Sequence, residues 1–341
     1  MPCGFKEVGL NNMVAISVEN LTKKFNGFVA VDNISFSITR GEIFGLLGPN
    51  GAGKTTTISM LSTLLRPTSG SALVNGFELT KKDDDIRKSI GIVFQDQSLD
   101  EELTAYENMD FHGRLYRISK TVRQQKIVEL LKLVELEEKK NDIVKTFSGG
   151  MRRRLEIARG LLHEPKVLFL DEPTLGLDPQ TRNHIWEYIE NLNKEKGITI
   201  ILTTHYMDEA DRLCDRVAIM DKGKLIASET PEKLKEEIGG DVITITSSER
   251  EELYAKLKTL SWVKHVEPHD GFLTINLHNA EKHVAEIANL SATNGIKIDS
   301  ISIRKPTLED VFLHFTGRTI REGEASSKDH MRMMHRSFRR R

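Results

Sequence analysis

Cysteine is nearly missing from this chain. Cys3 and Cys214 are the only two, far apart and without ligand-like spacing. Such usage fits a reducing compartment and ordinary free thiols. Long apolar runs are missing too: none approaches the ~20 residues that span a bilayer, and the stretch from Met1 to Glu7 lacks the apolar core of a signal peptide. The expectation is a soluble, cytoplasmic protein with no transmembrane segment of its own, whose work on any membrane goes through another chain. Net charge is the third absence. Lys+Arg number 49 against 50 Asp+Glu, a formal charge of −1, so no global positive field argues for nucleic acid or an anionic membrane surface. Length is present: 341 residues predict two domains, each with its own core.

The chain is organised around Gly48-Pro49-Asn50-Gly51-Ala52-Gly53-Lys54-Thr55, which fits the phosphate-binding loop pattern G-x-x-x-x-G-K-[ST]. Ile43 to Leu47 before it reads as a buried strand, and Ile58, Leu61 and Leu65 after it recur like a helix's core-facing side. Glycines let successive N–H groups face one concavity, and the helix N-terminus adds its positive end. Lys54 is expected to reach the β/γ-phosphates and Thr55 to ligate Mg²⁺, with Thr56 a further phosphate donor. The loop predicts nucleotide binding.

Upstream, Val14, Ile16, Val18, Ile34, Phe36 and Ile38 alternate with polar residues around an Asn26-Gly27 turn, predicting an antiparallel β-layer. Phe25 is either a core aromatic or a flat face for an adenine ring. Downstream come short strands at Ser71 to Phe77 and Ile90 to Phe94, the second delivering Gln95 to a strand's carboxyl end. There it can coordinate Mg²⁺, orient a water, or be a plain loop residue. Residues 99–146 are charged and helix-periodic, with Val128, Leu131, Leu133, Val134 and Leu136 as the apolar face of an amphipathic helix. Phe147-Ser148-Gly149-Gly150-Met151 then opens a helix with Leu155, Ala158 and Leu162 on one side. Ser148 is placed as its cap, and the bare Gly149-Gly150 backbone offers N–H groups to an anion, a second candidate phosphate site. The apolar strand Val167 to Leu170 runs into Asp171, expected to hold Mg²⁺, and Glu172, expected on the other side of an extended chain and able to take a proton from water. Ile198 to Leu202 ends in Thr203-Thr204-His205. His205 is structural or poised for a γ-phosphate.

Together these features resemble the ATP-binding cassette (ABC) family of transporter ATPases, in motif order and over roughly residues 14–237. The resemblance implies a phosphate-loop α/β cassette: a parallel core sheet, an antiparallel β-layer and a helical subdomain at about 99–165. It implies that Phe25 stacks on adenine where Tyr is more usual, and that Gly48 through Thr56 hold phosphates and Mg²⁺. Gln95 would sense the γ-phosphate and the membrane partner. Ser148, Gly149 and Gly150 would bind ATP held by the opposite subunit, despite Met151 replacing the usual Gln. Asp171 would support the metal, Glu172 activate water, Asp178 link two active sites and His205 clamp the γ-phosphate. Two chains, expected as a homodimer, would sandwich two ATP molecules.

From residue 238 to 317 the order strand, helix, strand, strand, helix, strand, with a turn at Asp270-Gly271, predicts a ferredoxin-like accessory domain without catalytic residues. The segment Pro306 to Gly317 resembles the ending of the daunorubicin/doxorubicin-resistance branch, which implies a separately encoded ABC-2 type permease and export. Residues 1–13 read as a leader. Residues 318–341 read as a basic, disordered tail, with contact to anionic lipid as a lesser hypothesis. A soluble ABC-type ATPase acting on ribosome or DNA is the alternative; the single cassette and near-neutral charge speak against it. The intact Asp171-Glu172 and His205 speak against a binder without turnover.

Overall fold

A computed structural model describes residues 13–317 other than 239, 270, 278 and 279. Residues 1–12, the tail from 318 and Asp270 of the expected turn lie outside the described residues. The chain divides into two compact units that meet between Ser228 and Glu229.

The first unit opens with β1 (Val14–Phe25) and β2 (Phe28–Thr39), antiparallel, with Phe25 opposite Phe28. Asn26 and Gly27 between them both have positive φ, 40° and 87°, as a two-residue hairpin turn demands. Next come β3 (Ile43–Leu47), α1 (Lys54–Leu61), β4 (Ser69–Val74), β5 (Phe77–Glu78), α2 (Asp83–Ser89) and β6 (Ile90–Val93). The helical part follows: α3 (Ala105–Leu115), α4 (Lys120–Leu133) and α5 (Gly149–Leu161). The core then resumes with β7 (Val167–Asp171), α6 (Pro179–Lys196), β8 (Thr199–Thr204), α7 (Met207–Leu213), β9 (Arg216–Asp221) and β10 (Lys224–Glu229).

These strands make two sheets, ordered β2-β1-β4-β5 and β10-β9-β3-β8-β7-β6. In the second, β9, β3, β8, β7 and β6 pair in parallel. Its inner strands β3, β7 and β8 are buried at every position, which is why their apolar residues run consecutively rather than alternate. One core joins the sheets, with Val18, Ile34 and Ile38 from the antiparallel layer packed with Phe44, Phe169 and Ile201 from the parallel one. The helical part has its own core, built on Met109, Ile127, Leu131, Leu136, Phe147, Leu155 and Leu162.

Several details depart from the sequence-based expectation. The first helix ends at Leu61, so Leu65 packs on the core from a loop. Val128 is 39% exposed; the buried side of α4 is Ile127 and Leu131, and Val134 and Leu136 lie beyond its end. Ile127 and Val128 are adjacent and both apolar, and it is Ile127, four residues before Leu131, that faces the core.

The second unit contains α8 (Pro231–Glu237), β11 (Asp241–Ser247), α9 (Arg250–Leu257), β12 (His265–His269), β13 (Phe272–Leu277), α10 (Ala280–Thr293), β14 (Ile298–Arg304) and α11 (Leu308–Thr316). Its four-stranded sheet has the order β12-β13-β11-β14, all neighbours antiparallel. That strand order with two interleaved helices is the ferredoxin-like arrangement. Ile243, Ile245, Leu273 and Ile275 point to the side where Leu253, Leu257 and Ile287 of α9 and α10 complete an apolar core. Sequence reading placed α8 before a domain boundary at 237/238. In the structure it packs on α11 within the second unit, with Leu234 fully buried.

Candidate functional site

The phosphate-loop residues connect β3 to α1, at the carboxyl end of the parallel sheet. Two glycines have no alternative there. A Cβ on Gly48 would lie 2.2 Å from the Met220 carbonyl oxygen, and one on Gly53, whose φ is +106°, 2.6 Å from that of Ala30. Asn50, Gly51 and Thr55 are exposed along the loop, while Lys54 is 5% exposed. Its ammonium donates to the carbonyl oxygens of Gly48 at 2.6 Å and Pro49 at 3.2 Å, and stands 3.2 Å from Glu172 Oε1.

Two strand ends, those of β7 and β8, converge on this loop. Asp171 closes β7, and its Oδ1 accepts from the hydroxyls of Thr55 (3.1 Å) and Thr203. Glu172 follows with φ +49°. This corrects the expected extended chain: the backbone turns into the left-handed region at Glu172, a conformation that costs a non-glycine residue about 1–3 kcal/mol and persists only where its surroundings hold it. The Glu172 N–H donates to the Thr203 carbonyl at 3.1 Å and to its hydroxyl at 3.0 Å. The turn aims the carboxylate so that Oε1 meets Lys54 and Oε2 lies 2.7 Å from His205 Nδ1.

Burial pushes the Asp171 carboxyl above its ordinary range, against hydrogen bonds from Thr203 and Thr55. Burial works the same way on Glu172, but there the His205 hydrogen bond and the Lys54 charge outweigh it and hold the carboxyl below its ordinary value. Adjacent carboxyls are thereby driven apart, leaving Glu172 an ionised acceptor. The Thr55 hydroxyl and Asp171 carboxylate together form a pair of hard oxygen donors. Mg²⁺ is commonly held by such a minimal set completed by substrate phosphates and water, and among the described residues no group of three or more His, Cys, Asp or Glu forms a self-sufficient metal cage.

The other expected residues lie outside this cluster. Phe25 is 43% exposed at the end of the β1–β2 hairpin, with the Lys23 ammonium 4.9 Å from its ring centroid; it is not a core aromatic. Gln95 is exposed just past β6. Ser148 caps α5 by accepting the Met151 N–H at 3.3 Å. Gly149 and Gly150 lie against α6 and the loop before it: a Cβ on Gly150 would meet the Thr181 side chain at 2.4 Å, and one on Gly149 would meet Leu177 at 3.3 Å. Asp178 caps α6, accepting from the N–H (3.0 Å) and hydroxyl (2.6 Å) of the same Thr181. The serine–glycine turn and Asp178 are thus neighbours, and the hydrogen bonds of neither run to Lys54, Asp171 or Glu172.

Sequence reading missed Thr203, the hydroxyl joining Asp171 to Glu172; the signal was a Thr-Thr pair closing a wholly buried strand. It also missed Glu209 on α7, fully buried, whose Oε1 accepts from the Thr174 hydroxyl (2.7 Å) and the Trp186 indole (2.9 Å). Burial raises its pKa against those donors. Glu209 joins the loop after Glu172 to the helix after His205.

Residues 31–175 match the ABC transporter family, and residues 230–316 match the C-terminal domain of DrrA1-3-like ATP-binding proteins. Linearmycin resistance ATP-binding protein LnrL of Bacillus subtilis is 42% identical over 311 residues, 90% of this chain and 100% of that protein. The chain belongs to the ABC transporter ATP-binding proteins. Daunorubicin/doxorubicin resistance ATP-binding protein DrrA of Streptomyces peucetius, from the same family, is 39% identical over 89% of this chain and 92% of its own. Among solved ABC structures, cbiO1 from Clostridium perfringens, part of the transporter complex cbiONQ, superposes with a TM-score of 0.62 and 34% identity, over 66% of this chain and 93% of that one. The dimeric post-hydrolysis state of the cassette MJ0796, bound to ADP and Pi, gives 0.58 and 32%, over 63% and 98%. As an ABC cassette the protein binds and hydrolyses ATP as a transporter subunit. The alternative of a soluble ATPase on ribosome or DNA is not favoured by these relatives.

Proposed function

We propose that this ATPase powers export through a separately encoded ABC-2 type permease, working as a homodimer that closes around two ATP molecules on the cytoplasmic face of the membrane. The observation that carries the reading is the split in the site. Lys54, Thr55, Asp171, Glu172 and His205 form one hydrogen-bonded cluster, whereas the anion-ready turn at Ser148 stands outside it. A second copy, facing head to tail, would bring its Ser148, Gly149 and Gly150 to the open side of the ATP and place the two Asp178 loops side by side. Supporting the export branch are the resistance names of the relatives LnrL and DrrA, a further relative named as a Nod factor export ATP-binding protein, and the C-terminal domain match. Among the described residues no helix is long and apolar enough to cross a membrane, which is in keeping with a passage supplied by another chain.

In the chemistry, ATP phosphates take the N–H groups of Gly51 through Thr56, and the Lys54 ammonium swings from the Gly48 and Pro49 carbonyls to the β/γ-phosphates. Its departure frees Oε1 of Glu172, while Oε2 stays on His205. Oε1 then accepts a proton from a water as that water's oxygen bonds to the γ-phosphorus and the bond to ADP breaks. His205 turns its remaining ring nitrogen to the γ-phosphate, and Phe25 stacks under adenine. Thr55, Asp171 and, at the edge, Gln95 are the residues to hold Mg²⁺, which when bound neutralises charge developing on the phosphate oxygens. Binding favours the closed dimer as far as ATP prefers that state, and hydrolysis releases it.

Glu172→Gln is expected to lower ATP hydrolysis on the order of 10²–10⁴-fold and to trap a dimer at saturating MgATP. Phosphate release and light scattering read the two effects. Normal turnover in this variant would remove Glu172 as the base.

A further inference from the structure

Arg153 lies on α5 five residues past Ser148 and is 7% exposed, although it sits in the run Arg152-Arg153-Arg154. A guanidinium has five N–H donors, and here each has an acceptor. Nε donates to the Pro173 carbonyl at 2.8 Å. Nη1 donates to the Phe94 carbonyl at 2.5 Å and to Glu156 Oε2 at 3.1 Å. Nη2 donates to the carbonyls of Asp171 at 2.9 Å and Glu172 at 3.1 Å. Three consecutive carbonyls across the left-handed turn at Glu172 are therefore held by one side chain. The fourth belongs to the residue before Gln95. Glu156, 2% exposed, neutralises the charge and passes the connection on by accepting the Ser98 N–H at 2.8 Å.

We propose that Arg153 is a positioning residue for hydrolysis: it fixes the Glu172 peptide from its carbonyl side, as Thr203 fixes it from its N–H side, and ties that peptide to the anion-binding end of α5. This rests on the proposed roles of Glu172 and Ser148. Helix rise puts the two ends of the connection about 7.5 Å apart along α5, well within one rigid element. Nucleotide bound at Ser148 sets where α5 sits, and Arg153 passes that placement to the strained backbone carrying the base. Because that nucleotide would occupy the partner's phosphate loop, filling one site prepares the base of the other. Lysine cannot replace the fork, since its three donors radiate from a single point.

The test is a double-mutant cycle with Arg153→Lys and Glu172→Gln, reading kcat and KM by phosphate release and nucleotide affinity with a fluorescent ATP analogue. Arg153→Lys alone is expected to lower kcat about 10–100-fold, the size of effect a small misplacement of a catalytic group produces, with nucleotide affinity unchanged within about threefold. In the Glu172→Gln background the same change is expected to cost less than about threefold, because a residue that acts only through Glu172 has nothing left to position. Full additivity of the two losses, or a loss of affinity as large as that of kcat, overturns the proposal. Normal turnover by Glu172→Gln alone would instead overturn the assignment of the base. Should Arg153→Lys fail to fold, the cycle is run with Glu156→Gln, which keeps an acceptor for Ser98 but removes the countercharge. A smaller kcat loss that vanishes in the Glu172→Gln background supports the proposal, and an additive one refutes it.

Discussion

The two units are both α/β, yet they treat ionisable groups in opposite ways. In the cassette, Lys54, Arg153, Glu156, Asp171, Glu172 and Glu209 are buried, most within reach of the carboxyl ends of β6, β7 and β8, while Glu42 and Arg123 are buried elsewhere as partners of Arg216 and Asp110. Among the described residues of the C-terminal unit the buried polar groups are Asp241, Ser247, Asn276 and Ser291, and each bonds a backbone group. Asp241 accepts from the Ala280 N–H, Ser247 and Ser291 donate to carbonyls, and Asn276 reaches the Ile238 carbonyl. Two of its ion pairs, Arg304 with Asp310 and Lys305 with Asp241, keep the cationic partner exposed. A buried charge costs several kcal/mol unless paired, so its concentration at one place in a fold marks where chemistry is done. The C-terminal unit carries the ordinary economy of a packed domain.

The largest effects should break along that line. Lys54→Met is expected to lower ATP hydrolysis by at least about 10²-fold. Ile275→Ala, in the C-terminal core, should destabilise that unit by ~2–5 kcal/mol while leaving turnover per folded molecule within about twofold. Phosphate-release assays beside urea unfolding distinguish the two. Equal losses of turnover would mean that the C-terminal unit takes part in catalysis. Thr203→Val is expected to be intermediate: the shape is kept, but Asp171 and the Glu172 N–H each lose a partner, for a stability loss of ~1–3 kcal/mol and a clear fall in rate. If Thr203→Val left both unchanged, the hydroxyl would not be what couples the carboxylates.

The smallest effect concerns pH. Burial, and then the charges of Arg159 and His163, lowers His112 from 6.5 to about 4. His163, whose ring stacks 3.9 Å from that of Tyr116, is lowered by burial as well. Since the unfolded chain takes up the His112 proton first, the contribution is complete above pH 6.5 and is lost as pH falls towards about 4. His112→Phe should flatten the dependence of the urea midpoint across that window; an unchanged slope would assign it to other groups.

How much of this was legible in the sequence follows from the same contrast. Strands such as Val167 to Leu170 and alternations such as Val242 to Thr246 announce themselves because burial is their only requirement. The phosphate loop, Asp171, Glu172 and His205 were legible because their spacing and their place after apolar strands are local properties. Arg153 was not, since in a run of three arginines nothing local says which one turns inward. Glu209 and Glu156 were hidden for the same reason: a carboxylate on a short or amphipathic helix reads as solvated, and only the packed neighbours, Trp186 and Thr174 or Arg153 and Ser98, give it a buried role. The left-handed backbone at Glu172 was also invisible, because it is imposed by Thr203 and by partners distant in the chain.

The grip of Lys54 on Glu172 has a consequence for which ligands can switch the cassette on. In the proposed mechanism Lys54 leaves its ion pair with Glu172 to reach the phosphates, so an entering molecule must offer the ammonium more negative charge than one carboxylate does. A nucleoside or a monophosphate meets that demand poorly and a triphosphate meets it well. On that mechanism, selection for a long polyphosphate chain would be exerted by an internal rival for the lysine, before any group has touched the γ-phosphate.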